Sequence, residues 1–252
     1  WLIQTSSSGL QAALMAVVPL GIWMRSVALT QQQRGQPSLL PPRLLQLSSI
    51  RFGLLIAVLF FTCWSGFMFC MALTLQAGMA MAPWQSGNSF IALGIAYFVS
   101  ACYAPKLIAR YSSSRILLTG IAIQLAGLLA LIATLYGLGT SAGALAIAPA
   151  TALIGYGQAL IVNSFYRIGM RDIQPDDAGA GSAILSTLQQ STLGLGPAFF
   201  GALLLHLLQG GEQGYPLAMI GVLALEVVMM LLLAAITVAR RQRLSGCLTE
   251  GS

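Results

Sequence analysis

Residues Phe52 to Gln76 read FGLLIAVLFFTCWSGFMFCMALTLQ, a run of 25 positions without a charged side chain. At about 1.5 Å per helical residue, this run is longer than the hydrocarbon core of a bilayer, which is about 30 Å thick. Apolar residues do not alternate with polar ones along it, so the pattern favours a helix over a barrel strand. The stretch therefore predicts a membrane-spanning helix.

The whole chain has the same apolar character. Hydrophobic residues make up 57% of its 252 residues and charged residues only 7%, whereas a soluble domain carries about 25% charged residues. So few charges cannot cover a surface that faces water. Because lipid leaves the backbone no external hydrogen-bond partner, and the apolar runs are helical in pattern, we expect an all-α integral membrane protein.

Seven segments are long and apolar enough to be spanning helices. Their boundaries are read from the ends of the apolar runs, which are the least certain part of such a prediction. The predicted spans are Leu10–Leu29, Phe52–Gln76, Asn88–Pro105, Ile116–Tyr136, Ala144–Phe165, Ala178–Leu208 and Tyr215–Ala239.

The basic residues predict the orientation of these spans. All 12 Lys and Arg residues fall around the first, third and fifth connections or after the last span, with Arg110 and Arg115 as anchors of the third. Short loops rich in Lys and Arg stay in the cytoplasm. We therefore expect a multi-pass protein of a cell membrane, the bacterial inner membrane, with its N-terminus outside and its C-terminus inside.

The chain divides into four parts by this pattern. Residues 1–29 contain one extra span, and residues 30–51 form a polar, proline-bearing linker with a short helix around Pro42–Leu47. Residues 52–239 contain six spans, and residues 240–252 form a cytoplasmic tail. The six spans form two triplets of opposite sense, which is the inverted-repeat plan of many secondary transporters. Because the chain begins with Trp1, we expect it to be a piece of a longer protein.

Several functions of membrane proteins do not fit these residues. A retinal protein needs a lysine in its last span, yet the only lysine is Lys106 at a helix end. No predicted outer loop has a cysteine for a receptor-type disulfide, and Asp172, Asp176 and Asp177 share one loop, so paired intramembrane aspartates are missing. We expect no enzyme, no catalytic residue, no cofactor, no metal site and no nucleic-acid partner.

Residues Pro175 to Gly201, PDDAGAGSAILSTLQQSTLGLGPAFFG, contain glycines that resemble a phosphate loop. No strand precedes them and no basic residue follows, so this interpretation fails. Small residues at such spacing let helices approach closely, which is the interpretation for Gly179 and Gly181. Gly194, Gly196 and Pro197 predict a kink or flexible point, since proline removes a backbone hydrogen bond.

Polar and aromatic side chains within the spans are the candidates for a substrate cavity. Amides are costly when they face lipid, so Gln189 and Gln190 predict either an interhelical hydrogen bond or a contact with substrate. Bulky aromatic and methionine residues fit either ordinary packing or a cavity for apolar ligands. The candidates are Trp64, Phe67, Met71, Gln76, Tyr97, Gln158, Asn163, Gln189 and Gln190.

Glu226, in LALEVVMM, is the only acidic residue deep within a predicted span. Ionisable residues at this depth are often functional, so Glu226 is the candidate for proton coupling. A hydrogen-bonded structural acid is the alternative.

The chain also resembles a known family over nearly its whole length. GQPSLLPPRLLQLSSIRFGLL, the span ending LTLQ, and DDAGAGSAILSTLQQSTLGLGPAFFGALL resemble the C-terminal half of the EmrB/QacA-type drug:proton antiporters. These form the fourteen-span branch of the major facilitator superfamily. APKLIARYSSSRILLTG resembles the superfamily's loop motif, but Ala109 and Ser112 stand where an acid and a glycine are usual.

The resemblance implies a proton-coupled multidrug exporter that works by alternating access. Its substrate would be an amphipathic or cationic small molecule, and its missing N-terminal half would supply the rest of the cavity. The second, third, fifth and sixth spans would line that cavity. A seven-span receptor or sensor, and an importer or uniporter on the same fold, are the alternatives.

Overall fold

The computed structural model describes residues 42–209 and 214–249, and every regular element in those ranges is helical. Six of the helices are long and apolar enough to cross a membrane, which confirms the all-α prediction there. The predicted span Leu10–Leu29 lies outside the described residues. The helices are α1 (Pro42–Leu45), α2 (Ser48–Gly78), α3 (Pro83–Asn88), α4 (Ile91–Arg110), α5 (Ser113–Leu138), α6 (Ala144–Gly169), α7 (Ala178–Gln209) and α8 (Tyr215–Thr249).

The six long helices alternate in direction, and one end of the bundle carries the positive charge. α2, α5 and α7 begin at this end, whereas α4, α6 and α8 run towards it. We call it the basic end because the described Lys and Arg residues lie in or beside it. They are Arg43, Arg51, Lys106, Arg110, Arg115, Arg167, Arg171, Arg240, Arg241 and Arg243.

The helices at the basic end are longer than predicted. α2 begins at Ser48 rather than Phe52, α4 continues past Pro105, and α8 continues past Ala239. An apolar run marks only the part of a helix that is suited to lipid, whereas backbone hydrogen bonds carry the helix on through polar residues. Between α2 and α4, α3 replaces a predicted loop, and its start is stabilised by a 3.0 Å hydrogen bond from the Ala82 N–H to Gln85 Oε1.

Irregular geometry occurs in α2, where the sequence did not predict it. Two π-helical turns, Ala57–Phe61 and Thr74–Gly78, interrupt its α-helical hydrogen bonding. In contrast, α7 is helical without a break through Pro197. The bend proposed around Gly194 and Gly196 therefore stays a prediction.

α2 and α7 form a parallel pair in close contact. A Cβ atom on Gly196 of α7 would lie 2.6 Å from the Gly66 nitrogen of α2, and a Cβ atom on Gly66 would overlap the Phe200 ring. The Thr62 hydroxyl donates a hydrogen bond to the Thr192 carbonyl at 3.4 Å. Glycine is therefore required on both helices for this approach.

α4 and α6 form a second parallel pair of the same kind. A Cβ atom on Gly155 of α6 would lie 2.9 Å from the Leu93 carbonyl carbon of α4. The Ser100 hydroxyl donates to the Tyr156 carbonyl at 2.8 Å. Each parallel pair thus combines a glycine contact with one hydroxyl-to-carbonyl hydrogen bond.

α5 and α8 join these pairs into one bundle. α5 packs antiparallel on α6, where a Cβ atom on Gly120 would lie 2.9 Å from the Gly157 carbonyl oxygen. α8 packs on both α5 and α2. A large apolar core results, whose fully buried side chains include Phe60, Phe165 and Phe200, with a separate small cluster around Ile108 and Leu160.

Asp172, between α6 and α7, ties this connection to the start of α2. Its carboxylate accepts hydrogen bonds from the Ser49 backbone N–H at 3.2 Å and from Arg171 Nε at 3.0 Å. Partial burial raises the pKa of the Asp172 carboxyl, but the Arg171 hydrogen bond and charge and the Ser49 hydrogen bonds outweigh it. The pKa therefore lies below its ordinary value of 3.8.

Gly155→Ala is expected to destabilise the full-length protein by about 1–3 kcal/mol, because the added methyl group overlaps backbone atoms that cannot rotate away. Gly94→Ala on α4 is the matched control, since a Cβ atom there meets nothing within 4 Å. Thermal unfolding of both variants in detergent checks this. Equal midpoints for the two variants would show that α4 and α6 do not meet at Gly155.

Asp172→Asn is expected to lower stability near pH 7 by about 0.5–1 kcal/mol, because an ion pair and a helix cap are weakened. A carboxyl with a lowered pKa stabilises the fold above its ordinary pKa of 3.8, and this contribution is lost as the pH falls through the lowered pKa. Thermal midpoints of wild type and variant should therefore converge at the acid limit. Asp176→Asn, in the same connection, is the control, and a constant difference across the pH range would contradict the assignment.

Candidate functional site

Aromatic side chains of α2 and α4 meet near the middle of the bundle. The Trp64 ring stacks on the Tyr97 ring with centroids 5.9 Å apart. Phe60 and Phe61 lie behind Trp64, with centroids 5.8 and 6.0 Å from it. Both phenylalanines are fully buried, whereas Trp64 and Tyr97 are partly exposed, so this stack forms a wall with one accessible side.

α6 and α7 contribute a polar contact to the same region. The Tyr166 hydroxyl donates a hydrogen bond to Gln189 Oε1. Phe165 links this contact to the aromatic wall, because its ring meets Phe61 at 5.1 Å and Tyr166 at 5.0 Å. We call Trp64, Tyr97, Tyr166 and Gln189 the polar-aromatic cluster, to which α2, α4, α6 and α7 each contribute one residue.

A cavity of about 790 Å³ opens at the basic end and reaches Tyr166. This volume is within the range of small-molecule sites, about 300–1,000 Å³. Asn163 lies in its wall, where its Nδ2 donates to the Ala159 carbonyl at 2.8 Å. The remaining lining residues are Phe52, Ile108, Ser112, Ser113, Ser114, Arg167, Ile168, Met170, Arg171, Thr237, Arg240 and Arg241.

Arg240 is held in the cavity wall by contacts between α8 and α2. Its guanidinium lies over the Phe52 ring, 4.2 Å from the centroid, and its Nη2 donates to the Ser48 carbonyl at 3.2 Å and hydroxyl at 2.9 Å. Its Nη1 is buried and has no hydrogen-bond partner among the described residues. The wall therefore contains a fixed positive charge with one unused donor.

Gln190 lies on a different face of α7 from Gln189. It is exposed, and so are Ser182, Ser186, Thr187 and Ser191 on the same side of the helix. These positions recur every three or four residues, as one helix face requires. α7 thus presents a polar stripe that the described part of the chain leaves uncovered.

Other predicted cavity residues lie elsewhere. Phe67, Met71 and Gln158 are buried in the bundle, and neither amide atom of Gln158 has a hydrogen-bond partner among the described residues. Gln76 lies at the opposite end of α2, where its Nε2 donates to Ser86 Oγ at 3.4 Å. These side chains do not join the polar-aromatic cluster.

Glu226 is buried on α8, with 1% of its surface exposed. Its Oε1 has no hydrogen-bond partner in the described chain. The side chains near enough to interact with it include Cys63 and Cys70 of α2. It thus lies in the core beside α2 and does not line the cavity at the basic end.

The α7 glycines that the sequence singled out for packing or bending divide into two groups. Gly196 meets α2, and a Cβ atom on Gly181 would overlap the Ile173 side chain. Gly179 and Gly194 are exposed, and a Cβ atom on either would meet nothing within 4 Å among the described residues.

Arg110 and Arg115, the predicted anchors, are exposed at the end of α4 and the start of α5. Between them, the Ser112 hydroxyl accepts a hydrogen bond from the Arg115 N–H at 3.4 Å and caps α5.

Tyr166, Phe61 and Phe165 were missed by the sequence analysis. Tyr166 follows Asn163 by three residues, so the two share a helix face, and this spacing was the available signal. The partners of Phe61 and Phe165 come from different helices, which no local pattern could reveal. Within residues 42–209 and 214–249, no group of three His, Cys, Asp or Glu side chains is placed to hold a metal ion.

No family model matches the chain. A curated relative from Streptomyces coelicolor, named "Probable actinorhodin transporter", is 28% identical to it over 183 residues. The match covers 71% of this chain but 31% of the relative, so the chain spans about a third of that protein's length. The similarity to a protein named as a transporter and the six membrane-length helices together support a multi-pass membrane protein of the transport class.

Tyr166→Phe is expected to lower the free energy of unfolding of the full-length protein by about 1 kcal/mol, because the partly buried Gln189 Oε1 loses its hydrogen-bond donor. Tyr156→Phe is the matched control on α6, since its hydroxyl makes no hydrogen bond to a described residue. Thermal unfolding in detergent measures both. A loss of equal size in the two variants would argue against the contact between Tyr166 and Gln189.

Proposed function

We propose that this chain is the C-terminal part of a proton-coupled efflux transporter of the EmrB/QacA type, working by alternating access. The observation that carries the proposal is the uncovered polar stripe of α7, which includes Ser186 and Gln190. Hydroxyl and amide groups are costly against lipid, so such a face fits a water-accessible path or another helical bundle. A second bundle facing α7 would enclose that path.

The arrangement of the helices supports an inverted 3+3 repeat in this proposal. In such a repeat, α2, α4 and α5 of the first triplet correspond in order to α6, α7 and α8 of the second. The pair α2–α7 then corresponds to the pair α6–α4. Both pairs are parallel, and both have a glycine contact and a hydroxyl-to-carbonyl hydrogen bond. Inverted repeats of this kind place substrate sites near the middle of the membrane.

The basic end is the cytoplasmic end in this proposal. Its Lys and Arg residues follow the positive-inside rule, and the connecting segments 79–90 and 139–143 at the other end carry none. The cavity that reaches Tyr166 then opens to the cytoplasm, where an exporter collects its substrate.

The polar-aromatic cluster is the substrate-binding part of this half. Trp64 and Tyr97 offer ring faces to an apolar substrate body, and Tyr166 and Gln189 offer hydrogen bonds. Gln190 lies on the stripe that would face the second bundle. Phe67, Met71 and Gln158 are buried in the bundle and are not part of the cluster.

Glu226 is the proton-binding candidate of this half, since it is the only acid within the six long helices that the structure describes. It is buried, and its Oε1 has no hydrogen-bond partner among the described residues. It lies beside α2, whose aromatic residues form the cluster wall. A change in its protonation would therefore act on the substrate site through α2.

The proposal is tested by dye uptake into energised inside-out vesicles that contain the full-length protein. Proton-coupled export predicts uptake that a protonophore abolishes. Gln189→Ala with Gln190→Ala should change the relative uptake of different dyes about tenfold or more, because contacts to a bound substrate are lost. Gln46→Ala with Gln242→Ala, two exposed glutamines away from the cluster, is the control.

Three results would contradict the proposal. Uptake that is insensitive to the protonophore would exclude proton coupling, and transport only in right-side-out vesicles would indicate import. An unchanged dye profile in the Gln189→Ala, Gln190→Ala variant would remove the assignment of the substrate site.

A further inference from the structure

We propose that a groove between α4 and α5 at the basic end binds an anionic phospholipid, with the lipid phosphate at Arg115 and an acyl chain along α5. The proposal goes beyond transport, because it requires only that the six long helices cross a bilayer. The groove shares no lining residue with the cavity that reaches Tyr166, so it is a separate site.

The packing of three helices forms the groove. α4 and α5 each pack closely against α6 but make little direct contact with each other. Leu107 and Tyr111 form the α4 side, Thr119 and Ile123 form the α5 side, and Leu160 of α6 lies in the floor. The volume of about 340 Å³ is at the lower end of the range for small-molecule sites, about 300–1,000 Å³, so the groove holds part of a lipid.

The groove runs from the basic end into the apolar part of the bundle. Arg115 lies in the first turn of α5, and Ile123 lies about 12 Å further along the helix axis. Leu107 and Ile123 pack against the small apolar cluster around Ile108 and Leu160. A bound molecule would therefore meet a cation at one end and apolar side chains at the other, which matches the order of groups in a phospholipid.

The surface of α5 beyond the groove suits lipid. The exposed positions that follow Thr119 along this face recur every three or four residues and are apolar, namely Ala122, Ala126, Leu129 and Ala133. The exposed face of α7 carries serine and glutamine instead. An acyl chain that leaves the groove would continue along an apolar face of α5, as contact with the bilayer requires.

Arg115 is available to bind an anion at the polar end of the groove. It is exposed, and its guanidinium has no hydrogen-bond or ion-pair partner among the described residues. None of the described acids lines the groove, and the first turn of α5 contains no acid. Because the helix dipole makes this turn positive, a cation there is unfavourable without an anion beside it.

The neighbouring part of α4 adds positive charge on the same side. Lys106 and Arg110 flank Leu107 in the sequence, and both are exposed. Basic pockets between spanning helices attract anionic headgroups, since the charge lies at the depth of the lipid phosphates. A headgroup with a net negative charge is therefore favoured over a zwitterionic one.

Tyrosines provide hydroxyl groups at the groove. Tyr111 is exposed, and its ring centroid lies 5.7 Å from the Arg110 guanidinium carbon. Tyr156 of α6 lies in the wall, and its hydroxyl makes no hydrogen bond to a described residue. Tyrosine is common where hydrocarbon meets headgroups, because its ring is apolar and its hydroxyl is polar. These hydroxyls can donate to phosphate or ester oxygens of the lipid.

Native mass spectrometry of the full-length protein in detergent tests the proposal. Dioleoylphosphatidylglycerol is the anionic probe, and dioleoylphosphatidylcholine is the zwitterionic probe with the same acyl chains. The first phosphatidylglycerol should bind at least about tenfold more tightly, and Arg115→Gln should remove this preference. Arg51→Gln removes the same charge from an exposed position of α2 outside the groove, and it should change the Kd less than about threefold.

Thr119→Trp tests the groove separately from the charge. Thr119 is exposed, so the indole ring should fill the groove without entering the core, and the preference for phosphatidylglycerol should be lost although Arg115 is present. Ala126→Trp, about two turns further along the same face, is the control and should bind like wild type. Added phosphatidylglycerol should raise the thermal midpoint of wild type and of both controls, but not of Arg115→Gln or Thr119→Trp.

Three results would overturn the proposal. Equal binding of the two lipids by wild type would remove the selectivity for an anion. A preference for phosphatidylglycerol that survives Arg115→Gln or Thr119→Trp would place the lipid elsewhere. Displacement of the lipid by inorganic phosphate at the same concentration would assign Arg115 to a soluble anion, whereas retention of the lipid supports the phospholipid site.

Discussion

Backbone contact between parallel helices is the constraint on which the bundle depends. Helices in lipid gain little from burying apolar surface against each other, so close packing and hydrogen bonds hold them together. Gly66 and Gly196 allow this approach between α2 and α7, and Gly155 allows it between α4 and α6. The hydroxyls of Thr62 and Ser100 then donate hydrogen bonds to carbonyl groups of the neighbouring helix. These bonds fix the axial position of one helix relative to the other within each pair.

The two parallel pairs also explain where the candidate site lies. The four helices of these pairs supply the cluster. Trp64 of α2 stacks on Tyr97 of α4, and Tyr166 of α6 donates a hydrogen bond to Gln189 of α7. α5 and α8 contribute no member of the cluster, and their function is to support the pairs from outside and to supply Arg240 and Arg241 at the basic end.

The sequence predicted the helical class and the location of six described helices, because long apolar runs are a property of local composition. It also singled out Trp64, Tyr97 and Gln189 as candidates. It could not distinguish them from Phe67, Met71 and Gln158, which belong to the core, since both groups have the same residue types on the same helices. Tyr166 was missed and α2 was expected to be regular, because ring partners and wider turns depend on contacts between helices.

The two π-helical turns of α2 have a geometric consequence for this helix. Each wider turn adds about one residue, and one residue corresponds to about 100° of rotation in a helix of 3.6 residues per turn. The side chains before Ala57 and those between Thr62 and Leu73 therefore follow two different phases, and the second wider turn ends the helix. A periodicity plot of α2 must be divided at Ala57–Phe61 for this reason.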